Sequence, residues 1–89
     1  MTIDGAIVRE QGQTFGIVIV KPAAISDSQT AARTRATLQA ALPTFRDVPL
    51  ILATQDASGR FSYQGRQDIV RFLASISADR IPWKRYTYS

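Results

Sequence analysis

The sequence contains no cysteine and no histidine. The first absence removes disulfides, the thiolate nucleophile and the softest metal ligand. The second removes the imidazole that serves as acid, base and metal ligand near neutral pH. Cysteine- or histidine-dependent nucleophilic catalysis and the usual zinc, iron and copper donor sets are therefore outside the reach of these 89 residues. Long apolar runs are missing too. The longest, residues 17–20 and 48–53, fall far short of the roughly 20 residues a membrane-spanning helix needs. Residues 1–4 show no basic stretch followed by an apolar one, so a secretory leader is not expected. No membrane association and a cytoplasmic location follow as expectations, and a chain without cysteine suits a reducing compartment.

Acid is scarce. Seven acidic residues face eleven basic ones, giving a net charge of +4, and Glu10 is the single glutamate. Lys21 and Lys84 are the only lysines, so the positive balance is carried by arginine. Arginine forms planar, bidentate pairs with phosphate and carboxylate and stacks on rings. That favours an anionic partner, although a net charge of one sign also simply keeps a small domain soluble.

What is present is well patterned. Residues 3–10 alternate, with Ile3, Gly5 and Ile7 on one side and Ala6 and Val8 on the other, which reads as a strand. Residues 11–14 form a Gly-containing turn. Residues 15–20 are apolar throughout and rich in β-branched side chains, as expected of a central strand buried on both faces. The short link makes these two strands an antiparallel hairpin. Ser26 and Gln29 have capping-box spacing, so a helix is expected over about 27–42, with Ala31, Leu38, Ala41 and Leu42 inward and Phe45 just beyond. Arg33, Arg35 and Gln39 are expected on its outer side, and Pro43 ends it.

A third strand (48–54), a turn at 56–59 and a short fourth strand (61–63) read as a second hairpin. A helix beginning at Gly65 and Arg66 carries the stripe Ile69, Val70, Phe72, Leu73 and Ile76. Asp68 lies in its first turn, where the helix dipole favours negative charge. The expected fold is α+β: a β-β-α-β-β-α order, with a four-stranded mixed sheet packed against two helices. Residues 1–79 form one domain. Residues 80–89 form an aromatic and basic tail able to add a short edge strand.

Residues 48–76 carry a resemblance. Pro49 opens a strand that continues through Leu50 and Ile51. Gly59 turns the hairpin, Gly65 follows the second strand, and Ile69, Phe72 and Leu73 line the helix. This segment resembles the closing half of thioredoxin-like folds. The resemblance implies a cis Val48–Pro49 bond facing a site. The redox motif of that family needs cysteine, which this chain lacks, and a hairpin stands where the family has a βαβ unit, so no activity is carried over.

The residues left for chemistry are Asp, Glu, Lys, Tyr and Ser. No two acids fall in a spacing that makes an acid/base pair, and most aspartates sit near turns or helix starts, where they bond local backbone. No catalytic residue, metal site or cofactor is expected, and the chain is read as a non-enzyme. Two surfaces stand out. Arg60, Gly65 and Arg66 are a candidate anion or small-molecule site at the start of the second helix. Arg80, Trp83, Lys84, Arg85, Tyr86 and Tyr88 combine the anchors typical of protein interfaces. The same interleaving suits single-stranded nucleic acid. A protein partner or a homodimer is favoured, with nucleic acid as the alternative. The burial of Trp83 bears on both.

Overall fold

The computed structural model describes residues 1–10 and 12–88. Gln11 of the expected first turn and Ser89 of the tail lie outside them. Five strands and two α-helices follow one another: β1 (Thr2–Glu10), β2 (Gln13–Ile19), α1 (Ser28–Ala41), β3 (Leu50–Gln55), β4 (Phe61–Gln64), α2 (Gln67–Ala74) and β5 (Lys84–Thr87). The strand order is β4-β3-β2-β1-β5. β2 and β3 are parallel, joined by the α1 crossover, and every other neighbouring pair is antiparallel. The sheet therefore has five strands where four were expected. The fifth comes from the tail, which returns to pair with β1.

The period-two alternation of the strands sorts the core into two layers. On one face, Val18, Leu50 and Leu52 meet Ala31, Leu38 and Leu42 from α1 and its end, together with Phe45. On the other, Ala6, Phe15, Ile17, Ile51 and Ala53 meet Ile69 and Leu73 of α2, and Ile81. Burying an aliphatic side chain of this size contributes about 1.5–3 kcal/mol, so the two short helices are held mainly by these faces. β2 is buried over Phe15–Val18, as its unbroken apolar run requires.

Three expectations for the residues before β3 need correction. The cap of α1 is Asp27, not Ser26: its carboxylate accepts from the Thr30 backbone N–H at 2.7 Å and from the Thr30 hydroxyl at 3.1 Å. A carboxylate at this position also answers the helix dipole, which a serine cannot. Arg35 and Gln39 turn inward instead of outward. The Arg35 guanidinium donates to the Leu50 carbonyl at 2.8 Å and to the Gln64 side-chain oxygen. The Gln39 amide donates to the carbonyls of Phe45 and Val48 at 3.0 and 2.9 Å. These side chains satisfy backbone that the sheet leaves unpaired on the way into β3. Finally, the Val48–Pro49 bond is not cis; no cis peptide occurs among the described residues.

Phe45 has a particular seat. It is fully buried over Gly5 of β1 and Gly16 of β2. A Cβ at Gly16 would lie 2.5 Å from the Phe45 ring, and one at Gly5 would lie 2.8 Å from the Ile17 carbonyl and 3.1 Å from the same ring. The two glycines form a pit in the sheet, and the ring fills it. Tyr86 of β5 closes the pit edge-on, with ring centroids 5.1 Å apart.

Candidate functional site

The six tail residues do not form one surface. Arg80 ends a 3-10 turn (Ala78–Arg80). Trp83 is half-buried and lies back across the α2 face of the sheet. Its indole N–H donates to the Ala78 carbonyl at 3.1 Å, and its ring stacks on Phe61 at 5.7 Å and 13°. Phe61 in turn stacks on Tyr63. Tyr86 and Tyr88 face the opposite side, packed into the α1 layer. Alternation along β5 thus sends Trp83 and Arg85 to one face and Lys84, Tyr86 and Tyr88 to the other. Arg85 is drawn onto Asp4, with Nε 3.2 Å from the carboxylate.

What the tail does supply is a sheet edge. Met1 and Tyr88 exchange both backbone hydrogen bonds, at 2.8 and 2.9 Å. In an antiparallel ladder such pairs recur at every second residue. The register Ile3↔Tyr86 and Gly5↔Lys84 therefore directs the backbone of Tyr86 and Lys84 at β1. The N–H and C=O of Arg85 and Thr87 consequently point away from β1, into solvent.

Arg60, Gly65 and Arg66 are likewise not brought together. Arg60 precedes β4 and Gly65 follows it, so they lie about 16 Å apart along the strand. Arg66 is engaged with Asp68, its Nε and Nη2 2.8 and 2.9 Å from the two carboxylate oxygens. The Gln13 side chain also donates to that carboxylate, at 3.4 Å. The start of α2 thus already holds an anion supplied by the chain itself. Gly65 has a packing reason to be glycine, since a Cβ there would lie 2.5 Å from the Ile51 methyl.

Among the described residues, no three acids gather closely enough to hold a metal ion, and no helix is long and apolar enough to cross a membrane. No family model, curated protein or solved structure matches the chain.

Three aspartates are titration markers. The bidentate bond from Arg66 holds the Asp68 carboxyl well below the usual carboxylate range. The Thr30 backbone N–H lowers Asp27, and bonds from Ser58 and the Arg60 N–H lower Asp56. A carboxyl depressed in the fold contributes stability above its unfolded pKa of about 3.9 and loses it as pH falls through the folded value. The melting temperature should therefore hold level from pH 7 to about pH 5 and fall steadily below about pH 4. Asp68→Asn should remove part of that fall. Circular-dichroism melts across the pH range check both, and a melting temperature unchanged in strong acid would contradict them.

Proposed function

We propose that this chain is a non-catalytic binding module that offers its β5 edge to another protein strand, in the first instance a second copy of itself. The observation that carries this is the outward-facing backbone of Arg85 and Thr87 on a strand whose other side is fully paired to β1. Strand addition at such an edge is a recurrent mode of recognition.

A two-fold axis through Tyr86 makes the edge self-complementary. Arg85 and Thr87 then exchange both backbone bonds with Thr87 and Arg85 of the copy. Tyr86 lies against its own counterpart, and Lys84 lies against Tyr88. No like charges are set directly opposite, and the Arg85 charge is already answered by Asp4. Cross-strand aromatic and cation-aromatic pairs of this kind add about 0.2–1 kcal/mol each. Nucleic-acid binding draws less support, because the tail aromatics sit on two faces and pack inward instead of forming one stacking platform. The absence of imidazole and thiol supports a role without catalysis.

Thr87→Pro tests this. The missing N–H is one that faces solvent, and proline is tolerated at such edge positions. Sedimentation equilibrium should show a dimer for the wild type and a monomer for Thr87→Pro, with little change in melting temperature. A wild type that remains monomeric into the millimolar range would overturn the proposal.

A further inference from the structure

The α1 layer does not cover its whole side of the sheet. The helix packs principally on β3, and over the β1–β5 half it leaves a groove of about 900 Å³. One wall is the α1 face that carries Thr30, Arg33, Thr34, Thr37 and Leu38. The other wall and the floor are Ile3, Val20 and Tyr88, and the upper end is closed by Lys21 and the turn that follows β2. The groove's volume is in the range of small-molecule sites. It opens beside the carboxyl ends of β2 and β3, the one parallel pair in the sheet and the place where open α/β sheets gather ligands.

The chemistry of the lining is one-sided. Lys21 and Arg33 are its charged side chains, and no Asp or Glu lines it. The only ion pairs among the described residues are Arg66–Asp68 and Arg85–Asp4, so both groove cations are without a carboxylate partner there. The floor is aliphatic and aromatic. The remaining wall positions are threonines: the Thr34 hydroxyl is committed to the Ala24 carbonyl and the Thr30 hydroxyl to Asp27, while the Thr37 hydroxyl is exposed. An apolar trough with two cations that have no ion-pair partner among the described residues, Lys21 at its end and Arg33 on its wall, matches a small amphipathic anion; the Asp27 carboxylate at the start of α1 is committed to Thr30. From Thr30 to Leu38 the helix wall runs about 12 Å, a span suited to an acyl chain of medium length.

We propose that this groove binds a medium-chain carboxylate, with the acyl chain along Ile3, Val20, Leu38 and Tyr88 and the carboxylate against Lys21 and Arg33. The groove lies on a face of the sheet and β5 pairing on its edge; the two share Tyr88, and Val20, Thr34 and Leu38 belong to the groove alone.

The test is an amide-shift titration of the full chain with octanoate, kept below its micelle-forming concentration, with octylammonium and acetate as the matched probes. Octanoate should give saturable shifts centred on Ile3, Val20, Thr34, Leu38 and Tyr88. Octylammonium, with the same tail and opposite charge, should bind about tenfold or more weakly, and acetate more weakly still, as screened ion pairs combined with tail burial require. The double variant Lys21→Ala/Arg33→Ala alters two exposed side chains, so the fold should persist. It should lose the preference for octanoate over octylammonium. Equal affinity for the two charges, shifts centred on the α2 face, or no saturable shift would each overturn the proposal. So would ligand-free, concentration-dependent shifts at Val20, Thr34 and Leu38, which line the groove away from β5, since they would mark a second copy as the occupant; such shifts confined to residues 84–88 and Ile3 report edge pairing instead.

Discussion

Replacing Phe45 by alanine is expected to destabilise the protein by about 3–5 kcal/mol, the cost of removing a buried phenylalanine whose surroundings cannot close in. They cannot close because the seat is backbone. Gly5 and Gly16 have no side chains to move into the space, and the strands beneath them are fixed by pairing on both sides. Tyr86 would also lose its ring partner. A domain of this length has a total stability of about 5–13 kcal/mol, so the variant should unfold at a much lower urea concentration, or be partly unfolded in buffer. Phe45→Leu should be milder. Gly16→Ala, which fills the pit from below, should be destabilising as well, and in the presence of Phe45→Ala its effect should shrink, because ring and methyl compete for one volume. Urea titrations of the four proteins form a cycle that checks this. Simple additivity would show that the ring and the glycine pit are not coupled.

A chain ending at Pro82 is expected to be largely unfolded at room temperature. The cut removes the whole ladder of β5 on β1, each bond contributing about 0.5–1.5 kcal/mol net. It also removes the Trp83 ring from Phe61 and both Tyr86 and Tyr88 from the α1 layer, at up to about 1.5–3 kcal/mol per well-buried side chain. These losses together match the whole stability of a small domain. A cooperative melt from the truncated chain would show that the first four strands and two helices suffice. This expectation is also why single outward substitutions, and not deletions, are the way to examine the edge.

The sequence made some of this architecture readable and hid the rest, for physical reasons. The run from Phe15 to Val20 announces a central strand because only burial on both faces tolerates six apolar residues in succession. The stripe of α2 is equally plain, because its spacing has a single solution. Arg35 and Gln39 misled because polarity normally marks the outer face of a helix. Their partners are carbonyls at Phe45, Val48 and Leu50, and no local pattern reveals that those groups need donors. Ser26 and Asp27 both have capping chemistry, and only the chain path chooses between them. The alternation of the tail showed that it could be a strand, but not that β1, more than 80 residues away, was its partner. The candidate sites suffered most. Proximity in sequence put Arg60 beside Arg66 and Trp83 beside Tyr86, whereas a strand separates the first pair by its length and the second by its faces. The groove beside α1 is assembled from five separate segments, and nothing in any one of them foretells it.

The closure of β5 on β1 also has a consequence for biogenesis. β1 must wait, one backbone edge bare, for β5, which is synthesised about 80 residues later. Pairing so distant in sequence is slow to form, and until it forms a nascent or freshly diluted chain carries an open template for its neighbours. Recovery after dilution from denaturant should therefore fall as chain concentration rises, and the aggregates that accumulate should be joined through β1.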